Sequence, residues 1–399
     1  MKKIILMVVM AVTIVPLWAE STPQEIYEQG NQYYAQMKFD DAINKYREVA
    51  TNYPTSSVAS KAQYSIAGIY LIKLEYTKAI EEGKKFIMNY SNNIMVPDAL
   101  KLIGGCYQEL KEYSTAIAYY QQALLKHPIK EEELYYKIAV CNIMLYDYNS
   151  AVNAFQIIVD SFPTSNIAVD AYYRIGFCYQ MIHQFDNAIQ IYKETLSTVS
   201  NDMIKHDGLT FQIGECYYYK IEYSTAIVWF QKVINEYPDS EWQEKAYTWI
   251  GFCYDNLKNF TQAEAYYKKV ITSNPESSWA LSCLAYLYAE QNIKLDEALQ
   301  YAQKATEIDG SMYQFKDSLG WVYYKKSMYD KALSIFQNAV SLTPTWDKSA
   351  LTSEYYHLGM TYLANNQKVD AISAFNKSIE VDDKDEDAIK SKQELDKLQ

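Results

Sequence analysis

The chain repeats one pattern of small, aromatic and polar positions along almost its whole length. Alanine recurs every 34 to 39 residues. A glycine or alanine stands twelve residues before most of these alanines, and a tyrosine or phenylalanine stands four residues after most of them. Small residues let two helices approach closely, and aromatic side chains fill the space around such a crossing. The pattern therefore predicts two helices in each repeat. The ten alanines are Ala42, Ala79, Ala116, Ala151, Ala188, Ala226, Ala263, Ala298, Ala332 and Ala371.

Two further positions predict where the second helix of a repeat begins and ends. An aromatic-polar pair precedes the alanine, as in Phe39-Asp40 and Tyr223-Ser224, and we interpret the polar member as the N-cap of that helix. A proline stands twelve residues after the alanine in six repeats, as at Pro238, and proline cannot continue a helix. The eighth repeat has one extra residue between its helices, around Asn292 to Lys294.

The combination of small residue, tyrosine, aromatic-polar pair, alanine and proline resembles the tetratricopeptide repeat family. Segments such as Tyr53-Pro54-Thr55-Ser56 are similar to those of its bacterial envelope members, the Tol-Pal-associated periplasmic protein and the outer-membrane assembly lipoprotein. The resemblance implies an all-α fold, a right-handed α-solenoid of about ten helix pairs over residues 20–382. Residues 383–399 alternate in charge, and we expect them to form a C-terminal capping helix.

The N-terminus has the pattern of a secretory signal peptide. Lys2 and Lys3 precede an apolar run from Ile4 to Val15, and the chain turns polar after Ala19. We therefore expect a signal peptide at residues 1–19, with an uncleaved N-terminal anchor as the alternative. No later segment is apolar enough to predict an integral membrane span. The expected location is across the inner membrane, in the periplasm or associated with the outer membrane.

Composition and charge exclude several classes of partner and of site. The formal charge of −12 becomes −14 once Lys2 and Lys3 are removed, so we expect no binding to nucleic acid. Five of the six cysteines recur ten residues before the repeat alanine. Equivalent sites on stacked helices are about 8–10 Å apart, which is too far for a disulfide, so these cysteines are predicted to be free and buried. The scattered histidines predict no metal site and no cofactor.

Catalytic motifs are missing from the sequence. It contains no G-x-S-x-G, no H-E-x-x-H and no glycine-rich phosphate loop. The doublet Gly104-Gly105 falls on a predicted first helix, with Tyr107 following it, and is interpreted as part of a helix crossing. We therefore do not expect an enzyme.

The resemblance implies that the first helices of the repeats line a concave groove. The groove positions in that family follow the small residue by one, four and five places, and several of them carry apolar or aromatic side chains here. Such side chains in a groove favour binding of a partner, although each of them could instead pack against a neighbouring helix. The predicted groove residues are Phe177, Met181, Tyr218, Tyr219, Phe252, Tyr286, Trp321 and Tyr324.

These expectations lead to a non-catalytic adaptor of the cell envelope that holds a partner protein or extended peptide. The negative charge favours partners with basic segments. The Lys and Asn clamp by which some family members bind a C-terminal carboxylate is matched only by Asn31, which disfavours that mode. The alternative is a glycan-binding protein that associates with peptidoglycan or the outer membrane, because tyrosine and tryptophan faces also stack on sugar rings.

Overall fold

The computed structural model describes residues 21–126, 128, 130–200 and 206–398. All regular secondary structure in these ranges is α-helical, which confirms the expected all-α fold. The predicted signal peptide lies outside the described residues. The chain divides into two compact units, with the boundary between His183 and Gln184.

The described residues of the first unit form nine helices, which pack in succession along the chain. They are α1 (Pro23–Ala35), α2 (Phe39–Asn52), α3 (Ala59–Ile72), α4 (Tyr76–Asn89), α5 (Val96–Glu109), α6 (Tyr113–Leu124), α7 (Glu131–Met144), α8 (Tyr148–Ser161) and α9 (Asn166–Met181). The first helices of neighbouring pairs also contact one another, α3 with α5 and α7 with α9.

In the second unit, the part of the chain that the structure describes forms twelve helices of similar arrangement. They are α10 (Phe185–Thr198), α11 (His206–Tyr219), α12 (Tyr223–Glu236), α13 (Gln243–Asn256), α14 (Phe260–Ser273), α15 (Ser278–Glu290), α16 (Leu295–Ile308), α17 (Tyr313–Lys325), α18 (Tyr329–Leu342), α19 (Lys348–Ala364), α20 (Lys368–Val381) and α21 (Glu386–Leu398). The expected C-terminal helix is α21, which packs against α20 and α19 and buries Ala388.

Within the described residues, a glycine meets a buried ring at the crossing of six helix pairs, as the sequence predicts, whereas Gly83 and Ala302 stand at the ring position of the second and eighth pairs. A Cβ added at Gly104 would lie 2.6 Å from Cε1 of Tyr120, and one at Gly251 would lie 2.4 Å from Cε1 of Tyr267. Both tyrosines are fully buried. Only glycine therefore fits at these two crossings without displacing the ring. The repeat in the sequence marks places where the two helix backbones approach each other closely.

The turns inside the helix pairs share a left-handed residue that is not glycine. Examples are Leu74 at a φ of 59°, Tyr146 at 60° and Ile221 at 64°. In the first turn of the chain, the amide of Lys38 donates to the carbonyl of Tyr33. This bond is the long-range one of a Schellman motif, which needs a left-handed residue between the two helices.

The predicted N-caps are wrong by two positions. Each second helix that follows an aromatic-polar pair begins at the aromatic residue itself, so that Asp40 and Ser224 lie in the first turn. Where a side chain caps a second helix, it belongs to the residue before the aromatic one. Asp147 in the first unit accepts from the amide of Ser150, and Asn259 in the second unit accepts from the amide of Gln262. The second helix begins two residues after the left-handed residue, so the N-cap is the residue between them and lies upstream of the predicted position.

Other boundary predictions are confirmed. Second helices end two residues before Pro54 and Pro238. The eighth pair has four residues between its helices instead of three, with both Asn292 and Lys294 at positive φ. The six cysteines are free thiols in the structure, and all except Cys283 are buried. Among the described helices, none has the length and apolar character needed to cross a membrane.

Candidate binding face of the second unit

Four first helices of the second unit form one continuous face, because α13, α15, α17 and α19 contact one another in succession. We call the surface formed by these four helices the first-helix face. Each of these helices buries some of its side chains and leaves others partly exposed. Partly exposed aromatic side chains on such a face are typical of binding surfaces.

A cavity of about 290 Å³ lies in this face and is lined by all four helices and by one residue of α14. We call it the acidic cavity. Its aromatic lining consists of Phe252, Trp279, Tyr286, Tyr313 and the α14 residue Tyr267. Its carboxyl groups belong to Asp255, Asp317 and Glu354. The cavity therefore combines apolar rings with concentrated negative charge, and its volume suits one long side chain rather than a large ligand.

Burial sets the ionisation of the carboxyl groups. It raises the pKa of Asp255, and the carboxylate of Glu290 adds to the effect while Lys258 opposes it. Burial also raises the pKa of Glu354 to about 8, against the stabilising hydrogen bond from Thr343. These shifts mean that the protein disfavours the ionised form of both carboxyl groups, which a cation bound nearby would favour.

The third carboxyl group has a partner. Asp317 lies 2.8 Å from Nδ1 of His357, which is buried beside it. Burial lowers the pKa of His357, but the charge of Asp317 and the hydrogen bond to it outweigh burial, and the net pKa is raised. The His357 ring also stacks on Trp321 at a centroid distance of 4.3 Å. Through these two contacts, His357 of α19 packs against Asp317 and Trp321 of α17.

Two polar atoms of the cavity lining have no hydrogen-bond partner. They are the hydroxyl of Tyr267, a residue with no exposed surface, and Oε1 of Gln314. A buried polar atom without a partner costs roughly 1–3 kcal/mol. Such atoms in a cavity point to a ligand or to bound water.

The structure brings several predicted groove residues together. Phe252 and Tyr286 both line the acidic cavity. Tyr218 packs edge-on against Trp249 at 4.8 Å, and its neighbour Tyr219 is 54% exposed at the end of α11. These four side chains lie on first helices of one unit, and each has surface that a partner could contact.

Trp321 contradicts the expectation of an exposed groove residue. Only 6% of its surface is exposed. Its ring is held between His357 and Tyr324, the latter stacked at 4.7 Å, and its Nε1 donates to Glu290. The large ring is covered because α19 supplies His357 on one side, which the register within a single repeat does not reveal. Tyr324 itself is half-buried.

The two remaining groove predictions fall in the first unit. Phe177 is half-buried and Met181 is 44% exposed, both on α9. Asn31, the single match to a carboxylate clamp, accepts a hydrogen bond from the hydroxyl of Tyr46 at 2.7 Å. The side-chain oxygen of Asn31 therefore forms its hydrogen bond inside the helix pair.

Sequence reasoning missed the polar residues of the cavity. Asp255 stands four residues after Gly251, at the register that holds Tyr218 and Tyr324, and a search of that register for every residue type would have found it. Asp317 and Glu354 stand upstream of their small residues. They reach the cavity because the N-terminal half of each first helix packs against the preceding first helix. The sequence of a single repeat does not indicate this contact.

The first unit has a cavity of a different kind. It has a volume of about 730 Å³ and lies at the turn between α4 and α5, lined by Ile94, Met95 and three lysines. Two of these lysines, Lys101 and Lys130, are paired with Glu133 at 2.8 and 3.0 Å. This cavity is lined by turns and helix ends, whereas the acidic cavity lies on helix faces.

Within the described ranges, no group of three or more histidine, cysteine, aspartate or glutamate side chains is placed to hold a metal ion. Burial raises the pKa of four buried thiols, those of Cys106, Cys141, Cys178 and Cys253, and for Cys106 the pKa is about 11. These thiols are protonated at neutral pH, so they are poor nucleophiles.

Comparison with known families matches three family models to four segments of the chain. Residues 19–199 match the outer membrane lipoprotein family. Residues 209–240, 244–277 and 355–385 match tetratricopeptide repeat families. No curated protein matches the sequence.

Solved structures with the same fold share little sequence with the chain. A tetratricopeptide repeat protein from Parabacteroides merdae is 17% identical over 66% of this chain and 97% of its own, with a TM-score of 0.41. A monomeric IFIT1 mutant solved with Gppp-AAAA is 12% identical over 94% of this chain and 86% of its own, with a TM-score of 0.51. A thermophilic repeat protein from Thermus thermophilus is 18% identical over 47% of this chain and 98% of its own, with a TM-score of 0.41. At 12% identity and a TM-score of 0.51, the IFIT1 match shows the fold alone.

Proposed function

Because the chain is a tetratricopeptide repeat protein, we propose that it is a non-catalytic scaffold of the bacterial cell envelope. It holds a partner protein, or an extended peptide segment, on the first-helix face of the second unit. The match of residues 19–199 to the outer membrane lipoprotein family supports a place in the envelope. It also supports a location in the periplasm or at the outer membrane.

One observation carries the proposal: the acidic cavity opens among aromatic side chains on the face that the first helices share. Trp279 is 43% exposed there, and Tyr219 presents a ring on the same series of helices. Aromatic side chains bury large areas at low conformational cost and are enriched at binding hot spots. A single extended segment could contact several first helices in turn, because their spacing repeats.

Site-specific photocrosslinking in intact cells tests this function. A benzophenone amino acid is placed at Trp279 or at Tyr219, both on first helices, and in a control at Val228, which is 60% exposed on the second helix α12. We expect a discrete crosslinked adduct from the two first-helix positions and none from Val228. An adduct from Val228 alone would place the interface on the other side of the repeats and contradict the proposal.

Binding of peptidoglycan is the second candidate, because exposed rings such as Trp279 also stack on sugars. Sedimentation of the purified protein with insoluble peptidoglycan separates the two. If the wild-type protein sediments and the Trp279→Ala variant does not, the face binds glycan. Crosslinking to a protein without sedimentation supports the scaffold.

A further inference from the structure

We propose that the acidic cavity is a binding site for the guanidinium group of an arginine side chain in an extended segment of the partner. This inference rests on the proposed function and names the chemistry of the group that the first-helix face takes. It is carried by the unpartnered polar atoms of the cavity, by its carboxyl groups and by its aromatic lining.

The unpartnered hydroxyl of Tyr267 is unusual within this chain. Tyr46 and Tyr120 occupy the same position of their repeats, four residues after the alanine. The hydroxyl of Tyr46 donates to Asn31 at 2.7 Å, and that of Tyr120 donates to Gln108 at 2.9 Å. Tyr267 is equally buried, but its hydroxyl has no partner. The same ring position is satisfied inside the first unit and left open where the cavity is.

The position that holds the hydrogen-bond partner of Tyr120 holds an acidic residue in the repeat of Tyr267. Gln108 and Asp255 both stand eight residues before the repeat alanine. Gln108 accepts from its tyrosine, whereas the hydroxyl of Tyr267 finds no acceptor in Asp255. Both Tyr267 and Asp255 line the cavity. The substitution thus adds an anion to the cavity and frees a hydroxyl beside it.

The unpartnered atoms and the carboxyl groups require a ligand that donates hydrogen bonds and carries positive charge. Oε1 of Gln314 and the carboxylate of Asp255 only accept, and the oxygen of the Tyr267 hydroxyl can accept as well, while its O–H proton needs an acceptor other than the ligand. Guanidinium has five N–H donors in a plane and no acceptor. A sugar hydroxyl would supply donors, but it would neither compensate the charge of the Asp255 carboxylate nor favour the ionised form of Glu354.

The lining selects guanidinium over ammonium. The rings of Phe252, Trp279, Tyr286 and Tyr313 surround the same space as the acceptors. A planar, weakly hydrated guanidinium stacks on such rings while it donates in the plane, and a compact ammonium does not. The cavity volume of about 290 Å³ accommodates one such side chain.

Occupancy is linked to pH through Glu354. Burial raises its pKa to about 8, so it is largely protonated in the empty cavity at neutral pH. The groups that face it are Thr343 from the end of α18, Asp317 from α17, and Asp347 and His357 from its own helix region. A bound cation favours the carboxylate, and loss of the His357 proton adds to the negative charge. Affinity therefore rises from pH 6 to pH 8.5.

Calorimetric titration of the mature protein with matched peptides tests the site. The probe is a ten-residue peptide of serine and alanine with one central arginine, and its twins carry citrulline or lysine there. Citrulline keeps the shape and removes the charge. We expect the arginine peptide to bind at least about tenfold more tightly than the citrulline peptide, because a charged hydrogen-bonded group is lost. The lysine peptide should bind more weakly than the arginine peptide.

Two cavity variants and one matched control locate the binding. Tyr267→Phe and Asp255→Asn should each weaken binding of the arginine peptide by about tenfold. Tyr120→Phe removes the equivalent hydroxyl in the first unit and should leave the affinity unchanged. Circular dichroism of each variant confirms that it is folded, and Asp255→Asn, which changes no volume, guards against an effect of misfolding.

Three results would overturn the inference. Equal binding of the arginine and citrulline peptides would mean that the cavity holds water only, and equal binding of the lysine peptide would remove the guanidinium assignment. Unchanged affinity in both cavity variants would place the arginine elsewhere. Each of these is distinct from failure of the proposed function, which the crosslinks from Trp279 and Tyr219 report without reference to arginine.

Discussion

The two units share one helical frame but use the same tyrosine position differently. In the first unit, Tyr120 fills the crossing at Gly104 and its hydroxyl is satisfied by Gln108. In the second unit, Tyr267 fills the crossing at Gly251 in the same way, yet its hydroxyl faces the acidic cavity without a partner. One pair is complete in itself, and the other is complete only with a ligand.

This difference separates positions that hold the frame from positions that are free to bind. Where a ring fills the crossing, the residue opposite it must stay small, because a close crossing tolerates no added volume. The residue eight places before the alanine is not constrained in this way, and it is Gln108 in one unit and Asp255 in the other. Function can therefore change in a repeat without changing its fold.

The largest expected effect is a pH dependence confined to the second unit. The folded state raises the pKa of Glu354 to about 8, so its native form binds a proton that the unfolded chain releases near pH 4.5. Stability is full below that pH and is lost as the pH rises through 8. The loss is at most on the order of 5 kcal/mol. His357, whose pKa is also raised, acts in the same direction.

Hydrogen exchange at pH 5 and pH 8 measures this. Amides of α17 and α19 should exchange faster at the higher pH relative to their intrinsic rates, while amides of α5 and α6 should not. Glu354→Gln should remove most of the difference. A loss of protection that is uniform over both units would contradict the assignment to Glu354.

A smaller effect is expected from methyl groups added at two neighbouring glycines of α5. Gly104→Ala places a Cβ 2.6 Å from the ring of Tyr120 and should cost about 1–3 kcal/mol. Gly105→Ala meets nothing closer than 3.8 Å and should stabilise by up to about 1 kcal/mol, because glycine is a poor helix former. Gly251→Ala should match Gly104→Ala. Thermal unfolding checks all three, and equal effects at both positions of α5 would refute the crossing.

Removal of either tyrosine hydroxyl should change the free energy of unfolding by different amounts in the two units. Tyr120→Phe leaves Gln108 without its donor and should cost about 0.5–1.5 kcal/mol. Tyr267→Phe removes an unpaired buried hydroxyl and should be neutral or slightly stabilising in the absence of ligand. Chemical denaturation of the two variants, measured side by side, decides. A clear destabilisation by Tyr267→Phe would mean that its hydroxyl has a partner.

The smallest effect tests whether the frame is the same in both units. Tyr146 of the first unit and Ile221 of the second are exposed and left-handed, at 60° and 64°. Glycine at either position relieves a strain of about 1 kcal/mol and loses part of that gain to chain entropy. Both variants should gain a similar few tenths of a kcal/mol in denaturant midpoints. Leu125→Gly, at a right-handed position, should lose stability instead.

The sequence predicted the repeat from residues whose role is local to one helix pair. Gly251 and Tyr267 lie sixteen positions apart and meet within one pair, so their spacing is visible in every repeat. The start of the second helix was predicted less well, since the cap is set by the left-handed turn at residues such as Ile221. Nothing in the residue types marked that turn, because none of those residues is glycine.

The candidate site shows the limit of that reasoning. Register within one repeat predicted Phe252 and Tyr286, which line the cavity, but it also predicted Trp321, which α19 covers with His357. Exposure depends on what the next first helix supplies, and that helix begins about 30 residues later in the chain. The choice of aromatic residues alone also passed over Asp255, which stands at a predicted register.

The sequence by itself determined the helix pairs, their small-residue crossings and the number of repeats, because these follow from contacts between residues at fixed short spacing. Only the tertiary structure decided which hydroxyl lacks a partner, which carboxyl groups share a cavity and which aromatic ring is covered. Those properties arise between stacked pairs, where each side chain meets residues from a different repeat. Burial and hydrogen bonding there depend on three-dimensional neighbours, and no period in the sequence specifies them.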